Sequence, residues 1–178
     1  MLKNTLTLSD ALRISSPLRF NMMFKPVGSA CNLGCSYCYY LDKASLFDEH
    51  SPMPFDLLEK VIKEYIELND SEQIVFDWHG GEPLLLGLDY FKKIVNLQNK
   101  YRRDKHIYNT IQTNATLLDD DFALFFKENN FLVGVSVDGP QDIHDKYRKY
   151  KGGQPTFLKV MRGVELLHRY AVDFNTLT

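Results

Sequence analysis

The chain has 178 residues, of which 44% are hydrophobic and 13% aromatic, and this is enough apolar material for the core of one folded domain. Its net charge of -2 gives no basic field of the kind that a nucleic-acid partner requires. No run of about 18 apolar residues would cross a membrane, and the first residues lack the apolar segment of a secretion signal, so we expect a cytoplasmic protein.

Strand-like and helix-like segments alternate along the chain. Runs rich in β-branched and aromatic residues predict strands at residues 20–25, 73–78, 107–112, 131–137 and from 172 onward. Apolar residues at helical period predict helices at 55–68, 89–101, 119–128 and 156–170. Strands separated by helices predict parallel pairing, as in a doubly wound sheet or a full or partial βα barrel. In both architectures the site forms on loops at the carboxyl ends of the strands.

The last residues, 172–178, predict a strand that is only beginning, and we therefore expect the sequence to continue in a longer protein. A parallel strand left unpaired at a sheet edge favours association with another chain.

All three cysteines, Cys31, Cys35 and Cys38, fall in the loop after the first predicted strand. A secreted disulfide framework would spread an even number along the chain, so this cluster indicates metal or redox chemistry. Thiolates select iron–sulfur clusters, zinc or copper(I). A cluster held by three cysteines leaves one iron open for a substrate or cofactor. The alternatives are a zinc site completed by His50, the nearest histidine, and three unligated cysteines in a core.

The segment Cys31-Asn-Leu-Gly-Cys35-Ser-Tyr-Cys38 resembles the CxxxCxxC signature of the radical S-adenosylmethionine (SAM) superfamily. The resemblance implies a 4Fe-4S cluster on the three cysteines, whose open iron is chelated by the methionine moiety of SAM, with Tyr37 near the adenine. The flanking segments, 25–28 (KPVG) and 39–43 (YYLDK), are similar to those of anaerobic sulfatase-maturating enzymes.

Further motifs extend this resemblance through residues 20–178. They are GGEP at 80–83, QTN at 112–114, SVDGP at 136–140 and HDKYR at 144–148. The resemblance assigns SAM binding to Tyr37, Gly80, Gly81, Glu82, Asn114, Ser136, Asp138 and Arg148. Ala115 stands where the family usually has Gly, and His79 where relatives usually have Gln near the peptide. Tyr40 and His79 are predicted to face a peptide substrate. Taken singly, Asn114 and Asp138 also suit turns or caps, and Arg148 a solvated surface.

The fold implied by the resemblance is a partial (βα)6 TIM-like barrel of the radical SAM type, ending at about the fifth strand. Residues 1–19 are then an N-terminal extension and 20–178 an incomplete radical SAM domain. Relatives carry a C-terminal extension with auxiliary clusters and a catalytic acid. These 178 residues include none of that, so we assign no catalytic residue and expect no full turnover from them alone.

The implied activity is reductive cleavage of SAM to a 5'-deoxyadenosyl radical, with an electron from a donor such as flavodoxin or ferredoxin. The radical would serve to oxidise a Cys or Ser of a sulfatase to formylglycine. The alternatives are another peptide-modifying radical SAM maturase and a non-catalytic iron–sulfur or zinc binding module. Neither nucleic acid nor a membrane is expected as a partner.

Overall fold

The computed structural model describes residues 18–40 and 52–178. Its sheet has five strands, β1 (Met22–Phe24), β2 (Gln73–Trp78), β3 (His106–Thr113), β4 (Phe131–Ser136) and β5 (Phe174–Leu177). They lie in the order β1-β2-β3-β4-β5, and every neighbouring pair is parallel. A doubly wound sheet reverses its strand order, whereas this one does not. Of the two predicted architectures, the chain therefore has that of a partial βα barrel.

Five helices accompany the strands in the described residues: α1 (Phe55–Leu68), α2 (Leu88–Tyr101), α3 (Asp120–Glu128), α4 (Gln141–Tyr147) and α5 (Phe157–Arg169). A short 3-10 helix (Pro83–Leu86) precedes α2. The four predicted helices are confirmed to within one residue at each end. Asp119, for example, lies just outside α3 and caps it, accepting a hydrogen bond from the Phe122 N–H at 2.9 Å.

Two sequence predictions differ from the structure. Helix α4 was not predicted, because seven mostly polar residues after Pro140 are too short to show an apolar period. Strand β1 is shorter than residues 20–25, because its ends make other contacts. The Phe20 carbonyl accepts from the Asn69 side chain at 2.6 Å, and the Lys25 carbonyl closes a turn with the Gly28 N–H at 2.9 Å.

The two faces of the sheet have different surroundings. Side chains that alternate along the strands, such as Ile74, Phe76 and Trp78 of β2 and Val133 and Val135 of β4, are buried in one core with the helices. The intervening side chains point to the opposite, concave face, where a cavity is lined by residues from all five strands. The loops at the carboxyl ends of β1 to β4 lie at the rim of this face. No helix in the described part of the chain is long and apolar enough to cross a lipid bilayer.

Two features predicted from the sequence fall elsewhere in the chain. Residues 1–17 of the predicted N-terminal extension lie outside the described residues, and so does His50, the proposed fourth ligand of a zinc site.

Candidate cofactor site

The three cysteines lie in the loop that leaves β1, and the chain after α4 holds that loop in place. The Gly34 N–H donates to the Lys149 carbonyl at 2.8 Å, and the Ser36 N–H donates to the Tyr147 carbonyl at 3.0 Å. The cysteine loop is therefore bonded to a segment more than a hundred residues away in the sequence.

All three thiols line a single cavity of about 200 Å3, and none forms a disulfide. Burial raises the pKa of Cys31 to about 11 and also raises the pKa of Cys35, although the nearby Arg148 guanidinium partly offsets the shift at Cys35. The free thiols are therefore protonated at neutral pH, and binding a metal centre must displace protons from them.

The spacing of the thiols favours a cluster over a single ion. In residues 18–40 and 52–178, no group of three His, Cys, Asp or Glu side chains converges to hold one metal ion. Zinc needs its sulfur ligands at about 2.3 Å from one point. A cubane bonds each cysteine to a different iron, so its ligands must surround a volume, as these three thiols do around the cavity.

The glycine pair that follows β2 packs directly on the cysteine loop. The Gly81 N–H donates to the Gly28 carbonyl at 2.8 Å, and the Glu82 N–H donates to the Ala30 carbonyl, also at 2.8 Å. Gly80 has φ +123°, a conformation that favours glycine. Both glycines line the cavity, as predicted.

The Glu82 side chain lies beneath the cavity and does not line it. It is completely buried, and its carboxylate accepts hydrogen bonds from Thr113 Oγ1 at 2.7 Å, the Asn114 N–H at 2.7 Å and the Leu84 N–H at 3.0 Å. Burial raises the pKa of this carboxyl group, and the three hydrogen bonds oppose that shift. Glu82 thus joins the ends of β2 and β3, and it is the predicted SAM-binding residue that the structure removes furthest from the cavity.

Asn114 follows β3 and reaches the cysteine loop. Its Oδ1 accepts from the Thr116 N–H at 3.0 Å and from Thr116 Oγ1 at 2.7 Å, while its Nδ2 donates to Asn32 Oδ1 at 2.9 Å. The next residue, Ala115, adopts φ +58°, so this alanine occupies a left-handed conformation that usually selects glycine. The turn therefore forms despite the substitution noted in the sequence.

Asp138 and Arg148 form an ion pair at the rim of the cavity. Arg148 Nε donates to Asp138 Oδ1 at 2.7 Å, and the two side chains are only 14% and 16% exposed. Tyr37 donates its hydroxyl to Asp138 Oδ2 at 2.6 Å. Partial burial acts to raise the pKa of Asp138, but the hydrogen bonds from Tyr37 and Arg148 outweigh it and hold that pKa below its usual value. Arg148 is thus a paired, largely buried cation, not a solvated one.

One residue of the cavity was missed by the sequence assignment. Gln112 lines the cavity and donates from Nε2 to Ser136 Oγ at 2.9 Å. A β-carbon on Gly134 would lie 2.2 Å from Gln112 Oε1, so Gly134 leaves the space that this side chain fills. The signal was strand alternation, because Gln112 and Ser136 both fall on the concave face.

His79 and Tyr40 lie on the cavity wall with Tyr39. His79 Nδ1 accepts from the Gly80 N–H at 2.8 Å, and burial, followed by the charge of Lys25, lowers the pKa of this ring. The neutral ring therefore carries its proton on Nε2. The Lys25 ammonium is 5.2 Å from the centroid of the Tyr40 ring.

The structure thus brings the predicted site residues together with two exceptions. Glu82 lies below the cavity, and Asp138 lines an adjoining cavity that shares Tyr37, His79, Ser136 and Arg148.

This partial barrel, with three cysteines on the loop after its first strand, has the architecture of a radical SAM domain. The model of the Radical SAM superfamily matches residues 26–178, and the chain belongs to that superfamily. Both the family and the fold class predicted from the sequence are confirmed. Membership implies SAM and an iron–sulfur cluster as cofactors.

Relatives of this chain include named maturases. It is 53% identical over 158 residues to a serine-type anaerobic sulfatase-maturating enzyme of Bacteroides thetaiotaomicron, covering 88% of this chain and 38% of that enzyme. It is 43% identical over 162 residues to a cysteine-type enzyme of Clostridium novyi, covering 89% and 43%. The chain thus spans about two fifths of the length of these relatives.

Solved structures show the same similarity. Native anSMEcpe with bound AdoMet and the Cp18Cys peptide is 41% identical and superposes with a TM-score of 0.81, over 90% of this chain and 42% of that one. A histidine-tagged form of the same protein with bound AdoMet is 42% identical, with a TM-score of 0.83 over 90% and 43%.

Proposed function

We propose that this chain holds a 4Fe-4S cluster and SAM and belongs to an enzyme that oxidises a Ser or Cys of a sulfatase to formylglycine. The observation that carries the proposal is the single cavity lined by three free thiols and by the strand-end residues of β2, β3 and β4. When bound, the cluster and SAM would supply an electron and a 5'-deoxyadenosyl radical that takes a hydrogen atom from Cβ of the substrate residue.

Cys31, Cys35 and Cys38 are the proposed cluster ligands. They surround the cavity from one side, and the glycine pair closes the other side of the loop through its bonds to Gly28 and Ala30. Because Cys31 and Cys35 are protonated when free, loading the cluster releases protons from this loop.

SAM would bind against the polar rim of the cavity. The Arg148 guanidinium and the Ser136 hydroxyl suit the SAM carboxylate, since one supplies charge-assisted donors and the other a single O–H. Tyr37 supplies an aromatic face for the adenine, and Asn114 and the Gly80-Gly81 backbone supply further polar groups. Asp138 would take part through Arg148 and Tyr37, both of which it already bonds.

The substrate residue would enter beside His79 and Tyr40. The neutral His79 ring presents an Nε2–H donor, because its Nδ1 is occupied by the Gly80 N–H. The named relatives are serine-type and cysteine-type sulfatase-maturating enzymes, and the solved relative binds a peptide; these similarities support a peptide substrate here.

The electron would come from an external one-electron donor such as flavodoxin or ferredoxin. We place the protein in the cytoplasm, because cysteines that must stay reduced for metal binding suit a reducing compartment.

Anaerobic reconstitution tests the proposal. We expect about four irons per chain, lost when all three cysteines are replaced by Ala, and formation of 5'-deoxyadenosine from SAM with dithionite as reductant. Stoichiometric zinc in place of iron would overturn the cluster assignment. Formylglycine is then sought by mass spectrometry with the whole enzyme and a sulfatase peptide. A thioether or carbon–carbon product would instead show a different peptide maturase.

A further inference from the structure

Two side chains from distant parts of the sequence direct hydrogen-bond donors at two of the three cysteine sulfurs. Asn114 Nδ2 lies 3.7 Å from Cys31 Sγ, and an Arg148 guanidinium nitrogen lies 3.9 Å from Cys35 Sγ. The Leu33 N–H adds a third donor, at 3.4 Å from Cys31 Sγ.

The Arg148 donor is fixed in position. Its Nε is held by Asp138 at 2.7 Å, and its Cζ lies 5.5 Å from the centroid of the Tyr37 ring. Asp138 is held in turn by the Tyr37 hydroxyl. With Nε and one face of the guanidinium engaged, a terminal nitrogen remains directed at Cys35.

The Asn114 donor is fixed as well. Its Oδ1 accepts two hydrogen bonds from Thr116, so the amide must turn its Nδ2 toward Asn32 and Cys31. The residue is 7% exposed, and water has little access to this amide.

We propose that Arg148 and Asn114 raise the reduction potential of the cluster by donating hydrogen bonds to its cysteine sulfurs. This inference rests on the proposed cluster but not on the proposed substrate. An added electron makes the cluster and its thiolates more negative, so donors and positive charge near the sulfurs stabilise the reduced state more than the oxidised state. Arg148 supplies both charge and a donor, whereas Asn114 supplies a donor alone, and Arg148 therefore has the larger effect.

The test is a redox titration of the reconstituted protein, followed by electron paramagnetic resonance in the absence of SAM. Omitting SAM separates this role from any contact of the same residues with SAM. Arg148→Ala is expected to lower the ratio of reduced to oxidised cluster at a fixed potential by about tenfold, which is about 59 mV for a one-electron couple. Asn114→Ala is expected to shift the potential in the same direction by less. Lys146→Ala is the matched control, because it removes one exposed positive charge from α4 and should leave the potential unchanged.

Wild-type potential in an Arg148→Ala protein with full iron content would overturn the inference. If Arg148→Ala does not retain iron, Arg148→Lys decides, since an ammonium keeps the charge but cannot bond Asp138 through Nε and also reach Cys35. A smaller negative shift supports the inference, and an unchanged potential overturns it. Failure of the wild-type chain to take up iron would overturn the proposed function as well. A loaded, SAM-cleaving wild type with unshifted variants overturns this inference alone.

Asp138 acts in this account as a positioning residue for Arg148. Removing its negative charge should by itself raise the potential. In the wild-type background, however, Asp138→Asn also releases the guanidinium, so the upward shift should be smaller there than in the Arg148→Ala background. Equal shifts in the two backgrounds would show that Asp138 does not position Arg148.

Discussion

Gly81 lies so close to Ala30 that a β-carbon on Gly81 would be 1.9 Å from the Ala30 carbonyl oxygen. The contact joins the loop after β2 to the loop that carries the cysteines. No flexible side chain lies between the two segments, so any residue larger than glycine must push one backbone away from the other.

Gly81→Ala should therefore destabilise the fold by about 1 to 3 kcal/mol, the usual cost of overpacking, and should reduce iron retention after reconstitution. Denaturant unfolding and iron analysis measure the two effects. Gly34→Ala is the control in the same region, because its β-carbon would meet nothing closer than 3.7 Å. Equal stability of the two variants would show that the loop after β2 is free to move.

Glu82→Gln should destabilise the protein by about 1 to 3 kcal/mol, because the amide nitrogen would face one of the three donors that the carboxylate now accepts. The unfolding free energy from a denaturant titration measures this. The exposed Glu64→Gln on α1 is the control and should change stability by less than about 0.5 kcal/mol. A Glu82→Gln protein of wild-type stability but with weakened SAM binding would instead return Glu82 to the cofactor site.

Arg148→Ala should weaken SAM binding more than about tenfold without changing iron content, because removing one partner of a buried charge pair typically costs about 2 to 5 kcal/mol. Calorimetry on the reconstituted protein measures the affinity. Arg148→Lys should recover only part of it, since the planar fork is lost. If Arg148→Ala binds SAM with wild-type affinity, the assignment of this residue to the SAM carboxylate is wrong.

His144 should make stability fall on the acid side of neutrality. The ring is fully buried, with Nδ1 accepting from the Asp138 N–H at 3.3 Å and Nε2 at 3.1 Å from Thr156 Oγ1. Thr156 Oγ1 already donates to the Arg148 carbonyl, so it accepts from Nε2 and the ring is neutral. Burial, and then the charge of Arg148, lower the pKa of His144.

The sign of this effect follows from which state binds the proton. Below a pH of about 6.5 the unfolded chain protonates His144 while the folded chain does not, so the unfolding free energy falls, by up to about 1.4 kcal/mol per pH unit. Denaturant unfolding at pH 7.5 and 5.5 should show this loss in the wild type and in an exposed control, His168→Gln. His144→Gln should show a smaller loss, and an equal loss in all three proteins would contradict the assignment.

Features that depend on neighbouring residues were predicted correctly from the sequence. The four long helices and most strand bounds follow from apolar period and β-branched runs, which act over a few residues. The CxxxCxxC segment and the motifs at the ends of β2, β3 and β4 likewise identified the family, since each lies within a short stretch of chain.

The sequence by itself determined the kind of site, three thiolates on a strand-end loop of a parallel sheet, because ligand type and spacing are local properties. Only the tertiary structure decided which polar groups surround those thiolates. Glu82 moves below the cavity because Thr113 and Asn114 donate to it from the next strand, and Arg148 becomes a fixed donor because Asp138 meets it across ten residues of chain. These arrangements depend on contacts between segments far apart in sequence, and no periodicity or motif records which partner a buried charge will find.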